Sequence, residues 1–164
     1  MPVVSDTSPL SYLILIEEVE VLGRLYGEIY VPPAVMGELS HPDGPEATRR
    51  WAQDLPAWLQ VKEPPEAGGL DPRPEPREKL RSLDRGERQA ILLAEEEGAL
   101  PLIDERDGRS VAKALGLSIT GTIGVLDEAA SEGLVDPRSA ADRLRETSFR
   151  ASEELYRWLI ERHS

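Results

Sequence analysis

Four acids stand out by type and by setting: Asp6, Glu38, Glu87 and Asp104. Asp6 follows Val3-Val4-Ser5 and precedes Thr7-Ser8-Pro9, and Asp104 follows Leu100-Pro101-Leu102-Ile103. Each reads as the carboxyl end of a short buried strand that turns at once into a helix. In an open α/β sheet, that rim is where ligands bind. Glu87 shares a helix face with Ala90, Ile91 and Ala94, and Glu38 follows Val35 by three residues. An acid on an apolar face is costly unless a cation or hydrogen-bond donors meet it. Carboxylates gathered on one rim raise each other's pKa values unless a cation sits among them. Oxygen-only ligands suit Mg²⁺ or Mn²⁺, ions that polarise a phosphodiester and lower the pKa of bound water.

Each acid also has an ordinary role open to it. Asp6 and Asp104 can serve as N-caps, although Thr7 and Ser8 already offer capping hydroxyls beside Asp6. Glu87 fits the third position of a capping box opened by Asp84. Glu38 can be a solvated helix end. Asp107 is a fifth candidate, on one face with Val111 and Leu115, or else a first-turn acid that favours the helix dipole. Basic residues flank the same stretches: Arg73, Arg77, Lys79, Arg81, Arg85 and Arg88 around Glu87, and Arg106, Arg109 and Lys113 after Asp104. Arg85 and Arg109 are candidates to hold a phosphate backbone, or members of a solvated face paired with Glu75, Glu78 and Glu105.

The elements that must position these residues follow from hydrophobic period and turn chemistry. A strand at Val3–Ser5 and a helix from Pro9 to Ile16 lead to a helical stripe through Val19, Leu22 and Leu25 that stops near Gly27. A strand at 28–31 meets Pro32-Pro33, which opens the Glu38 helix. Pro45 opens a helix through Trp51, and 58–61 reads as a short strand. Residues 63–77, with five prolines, read as a long irregular loop. Asp84 opens a helix to Glu97 that Gly98 ends. A strand at 100–103, a helix to Leu115 and a strand at 117–119 follow. Thr120-Gly121-Thr122 turns into a helix ending at Gly133. Asp136-Pro137 opens another, and Ser152 caps the last, which bears Leu155, Tyr156, Trp158 and Leu159 and reads as a cover for the core, the alternative being a subunit contact. Strands alternating with helices predict a parallel sheet with helices on both faces.

The totals narrow the classes. The chain of 164 residues has no cysteine and two histidines, which excludes disulfides and a histidine-rich zinc site. Its net charge of −12 opposes general nucleic-acid binding by a basic surface, except where acids are clustered to hold a cation. The apolar run from Leu10 to Ile16 is too short to cross a bilayer, and the expectation is a cytoplasmic protein without a membrane partner.

Five blocks in order resemble PIN domains: Val4-Ser5-Asp6-Thr7-Ser8-Pro9-Leu10, Val31-Pro32-Pro33-Ala34-Val35 with Glu38-Leu39, Leu83-Asp84-Arg85-Gly86-Glu87 with Ala90-Ile91, Leu102-Ile103-Asp104 with Gly108-Arg109, and Thr120 to Leu126. More narrowly, they are similar to a prokaryotic PIN-like branch related to VapC-type toxins. The resemblance implies a single PIN-like domain over 1–164, a three-layer α/β/α sandwich with a short, mainly parallel sheet. It implies a metal-dependent ribonuclease, in which Asp6, Glu38, Glu87 and Asp104 act on RNA with Mg²⁺ or Mn²⁺. By motif, Asp6, Glu87 and Asp104 hold the metal, and Ser8 matches the hydroxyl that accompanies the first acid. It also implies a homodimer and, where the chain is the toxin of a pair, an antitoxin partner. Two rivals differ in kind: a PIN-like module that binds RNA or protein without turnover, and a receiver-like phospho-acceptor with Thr120 or Thr122 as its switch. The second lacks a lysine after the last strand.

Overall fold

The computed structural model describes residues 2–65 and 74–164, the side chains of 74–77 excepted. Among them four strands form one parallel sheet: β1 (Val3–Ser5), β2 (Ile29–Val31), β3 (Leu59–Val61) and β4 (Leu100–Leu102), in the order β3-β2-β1-β4. The register pairs Val3 with Ile29 on one side and with Leu100 on the other, and Ser5 with Leu102. The chain builds outward from β1 through β2 to β3, then returns to place β4 on the other side of β1. That reversal opens a crevice beyond the carboxyl ends of β1 and β4, where Asp6 and Asp104 follow.

Ten helices surround the sheet among the described residues: α1 (Thr7–Leu15), α2 (Val21–Tyr26), α3 (Pro33–Leu39), α4 (Glu46–Ala52), α5 (Pro74–Arg81), α6 (Arg85–Glu97), α7 (Arg106–Ala114), α8 (Thr122–Ser131), α9 (Pro137–Arg145) and α10 (Glu153–Arg162). Strand side chains alternate between faces. Val3, Ile29, Val31 and Leu102 enter the larger core with Leu10, Leu13, Leu126, Leu144 and Leu159. Val4 points the other way, under Ala90, Leu93 and Ala94 of α6. A third cluster joins α5, α6 and α7 through Leu80, Ile91, Ile103 and Val111. The α/β/α sandwich is thus the one expected. The local signals also hold: Gly98 closes α6 in the left-handed region at φ 62, Asp136 accepts from the Arg138 amide at the start of α9, and Ser152 accepts from the Leu155 amide at the start of α10.

Two expectations need correction. Residues 117–119 form no strand. The only pairing there is a single parallel bridge between Leu102 and Thr120. Leu100 and Asp6 use their amides towards the β1–β4 seam, so position 101 faces the opposite edge, and Pro101 has no N–H to offer it. The Pro101 carbonyl still accepts from the Thr120 amide at 3.3 Å and Ile103 donates to Thr120 at 2.8 Å, but the ladder goes no further. The second correction concerns the loop expected over 63–77, of which residues 66–73 lie outside those described. Its last four residues belong to α5. Pro74 is the first residue of that helix and Pro76 the third, positions whose amides have no intrahelical acceptor to lose. The last helix is also divided. Tyr156 and Leu159 are buried as expected for core, whereas Trp158 is exposed.

Small residues let α6 lie close on β1: Ala90 and Ala94 are fully buried against Val4. Ala90→Leu is therefore expected to lower the free energy of unfolding by about 1–3 kcal/mol through overpacking. Glu96→Ala, on the exposed side of the same helix, is expected to change it by less than about 0.5 kcal/mol. Urea denaturation of the two variants checks this.

Candidate metal centre

Each acid reaches the rim from a different element. Asp6 stands between β1 and α1 with the extended backbone of an N-cap, yet its side chain accepts no capping hydrogen bond. Its amide donates to Leu102 at 3.0 Å, which pins it to the β1–β4 seam, and only 3% of its surface is exposed. The capping role open to Asp6 is thus unused and its carboxylate remains for the rim. Glu87 sits in the first turn of α6 and is also buried. The capping box is half formed: the Glu87 amide donates to Asp84 Oδ1 at 2.8 Å, but Glu87 Oε2 is buried with no hydrogen-bond partner among the described residues. Glu38 lies exposed in the last turn of α3, with its carboxylate turned towards the start of α6.

Asp104 behaves differently. Oδ1 accepts from the Thr122 amide and Oδ2 from the Thr122 hydroxyl, both at 2.7 Å. It caps a helix, as its alternative role required, but the helix is α8 and not the α7 that follows it in sequence. Among the described residues, no group of three Asp, Glu, His or Cys side chains has the geometry to hold a metal ion.

The backbone beneath the acids is glycine. A Cβ at Gly86 would fall on Glu38 Oε1 and lie 3.4 Å from Asp6 Oδ1, so one point in the first turn of α6 has both oxygens above it. A Cβ at Gly108 would fall on Glu87 Oε2, and one at Gly121 would lie 2.6 Å from Asp104 Oδ1. Three carboxylates, those of Glu38, Glu87 and Asp104, rest where a side chain would fall, and Asp6 lies at ordinary contact distance from the first of these points. The donor set is all oxygen, the chemistry a hard divalent cation takes, and Glu87 Oε2 is left without a partner among the described residues, but the acids as they stand do not converge on one ion position.

Burial and crowding show in the titration of the acids. Burial raises Asp6 from the ordinary 3.8 to about 7; the Thr7 amide opposes the rise, and Asp84, Glu38 and Asp104 add to it. Glu87 is pushed up to about 8, first by burial and then by Asp84, whose carboxylate accepts its proton and repels its charge. Glu38 is raised by burial of its carboxylate, against a favourable contribution from the Gly86 amide. Asp104 is also raised by burial, while Thr122 and Arg109 hold it back.

Ser8 and Arg109 line a cavity of about 570 Å³ that opens beside Asp104, and Arg109 Nη1 donates to the Ile103 carbonyl at 2.9 Å. Arg85 lines a separate cavity of about 340 Å³ with Glu38, so the two candidate phosphate-binding arginines belong to different hollows. Asp107 is exposed in the first turn of α7. Sequence reasoning gave Asp84 only a capping role. Its carboxylate caps α6 and also acts on Asp6, Glu38 and Glu87. Its spacing to Glu87 fits a helix start so well that nothing marked a second role. Thr122, the partner of Asp104, is 18 positions away, and no local pattern links the two.

A parallel sheet with acids at its switch point defines an α/β protein with a ligand site on its carboxyl rim. A family model described as DUF3368, a PIN domain, matches residues 2–164, and the chain belongs to this PIN-domain family. PIN domains are generally nucleases and typically use divalent metals. No curated protein and no solved structure matches the chain. No helix among the described residues is long and apolar enough to cross a membrane.

In the unfolded chain Asp6 and Glu87 release their protons near 3.8 and 4.5, but the fold holds them to about 7 and 8. The folded state therefore binds more protons between these limits, and stability falls as pH rises through the window. The Tm in EDTA is expected to decline from about pH 5 to about pH 8. Asp6→Asn is expected to flatten that slope, and Mn²⁺ to raise the Tm more at the upper pH than at the lower. Scanning calorimetry at several pH values checks all three; a slope that Asp6→Asn leaves unchanged contradicts the crowding. Gly86→Ala tests the cradle. A flexible carboxylate can swing away from the new methyl, so the fold is expected to persist while Mn²⁺ affinity, read by calorimetric titration, drops by about tenfold, the equivalent of 1.4 kcal/mol.

Proposed function

We propose that the chain is a metal-dependent endoribonuclease that hydrolyses RNA phosphodiesters at the rim formed by Asp6, Glu38, Glu87 and Asp104. The observation that carries this reading is the glycine-floored gathering of carboxylates with Glu87 Oε2 buried and unpartnered. Asp6 and Glu87 are the buried oxygens that would hold Mg²⁺ or Mn²⁺, and Asp104 would add a lone pair left over from its bonds to Thr122. A bound ion of this kind polarises the phosphodiester and makes water acidic enough to attack at neutral pH.

The remaining roles belong to the chain itself. Glu38, an exposed residue of α3, would accept a proton from attacking water, with the Gly86 amide steadying the charge on its carboxylate. Burial, and after it Asp84, raise the pKa of Glu87, so that it takes up a proton or a cation near neutral pH more readily than an ordinary carboxylate. Arg109, fixed by the Ile103 carbonyl, presents its charge to a phosphate in the cavity beside Asp104. A homodimer and an antitoxin partner enter this proposal through the family resemblance alone.

Asp6→Asn is expected to lower Mn²⁺-dependent cleavage of a labelled RNA pool by at least about a hundredfold, the loss of roughly 3 kcal/mol of transition-state stabilisation, while the circular dichroism spectrum stays unchanged. The non-catalytic alternative predicts RNA retained without turnover in either metal. That result, or undiminished cleavage by the variant, overturns the proposal.

A further inference from the structure

The cavity beside Asp104 extends well past the acids. At about 570 Å³ it falls in the size range of small-molecule sites, and its far wall is built from α1, the segment before α10, and α10 itself. Two features set this cavity apart. The first is charge. In a chain of 31 acidic and 19 basic residues, Arg106, Arg109 and Arg150 all line this one hollow. Arg106 and Arg150 are exposed, and neither has an ion-pair partner among the described residues.

The second is aromatic surface. Tyr12 and Phe149 meet edge to face with ring centroids 5.0 Å apart, and the Tyr12 hydroxyl is 3.0 Å from Ser148 Oγ, so these rings are held in place. Trp158 lines the same hollow and is 44% exposed, although the Arg162 guanidinium lies 5.1 Å from its ring centre. Leaving an indole so exposed on a helix whose neighbours Tyr156 and Leu159 are buried gives up favourable burial. Rigid rings beside unpaired arginines, continuous with a phosphodiester site, are what single-stranded nucleic acid recognition requires: a face for the base and a cation for the phosphate.

We propose that this cavity is a nucleotide subsite, in which Trp158 stacks a base of single-stranded RNA next to the scissile phosphate and Arg106 and Arg150 hold the adjoining phosphate. The inference rests on the ribonuclease reading for its substrate class and adds where the strand lies: from the acids, past Asp104, to α10. The subsite recognises a stacked base and its phosphate, so affinity here is set by base stacking and salt and not by the divalent ion.

The test is fluorescence anisotropy of a labelled, mixed-sequence single-stranded RNA 12-mer with the full chain in EDTA, where binding is read without cleavage. Trp158→Ala is expected to weaken binding about tenfold, within the range measured for loss of one base–aromatic stack, and Trp158→Phe to stay within about threefold of the parent. Arg150→Ala is expected to weaken binding severalfold and to reduce the salt slope by about 0.7, the share of one phosphate contact on a single strand. Parent protein that binds no RNA, or Trp158→Ala that binds within twofold of the parent, overturns the subsite. So does a change in oligomeric state on Trp158→Ala with RNA affinity unmoved, which makes this wall a protein interface. Cleavage assays in Mn²⁺ on the same proteins separate the two readings. Trp158-dependent binding without cleavage leaves the subsite standing and removes the nuclease; Asp6-dependent cleavage that ignores Trp158 does the reverse.

Discussion

Crowded negative charge in a space with little water is the constraint on which this structure turns. Asp6 and Glu87 are almost completely enclosed, and Glu38, Asp84 and Asp104 act on them from the sides. Isolated carboxylates in that setting are costly, and the fold meets the cost with few cations of its own. It uses backbone instead. The Gly86 amide faces Glu38, the Thr7 amide faces Asp6, and the first residue of α8 gives both its amide and its hydroxyl to Asp104. Helix starts are the partly positive ends of these elements, so the rim is lined by dipoles that tolerate anions without neutralising them. What they leave over is negative charge that the described residues do not neutralise, Glu87 Oε2 above all.

The sheet explains why these helix starts converge. Order β3-β2-β1-β4 puts a crossing of direction between β1 and β4, so α1 and the segment after β4 depart on either side of one crevice. The α6 helix lies over β1 on alanines, which brings Asp84 and Glu87 down onto Asp6. Glycine then has a positional meaning at 86, 108 and 121 that has nothing to do with left-handed backbone. Each is the place where a carboxylate presses on main chain.

Much of this was legible in the sequence because it is local. A β-branched run ending in an acid, a proline in a first helical turn, and a glycine just past a last turn each specify their own geometry within a few residues. They located β1, β4, the ends of α6 and the starts of α9 and α10. What escaped was carried by distant partners. Asp104 looked like a cap for the helix beside it, and only the fold delivers Thr122 instead. The strand expected at 117–119 had suitable side chains, but its pairing depended on an amide that residue 101 does not possess. Asp84 fitted a capping box so completely that its influence on Asp6 was hidden. Trp158 lay on what looked like a core stripe, and its exposure depends on how α10 docks.

Pro101 has an effect beyond the strand it interrupts. An open sheet margin is an invitation to other chains, since unpaired amides and carbonyls accept any extended peptide that arrives. Here the β4 margin offers a proline at its centre and one backbone bridge to Thr120 beside it, so an incoming strand finds no repeating row of donors to copy. The same residue that shortens the ladder thus makes that margin a poor seed for polymerisation. A protein whose interior crowds buried carboxylates together gains protection from aggregating whenever it opens.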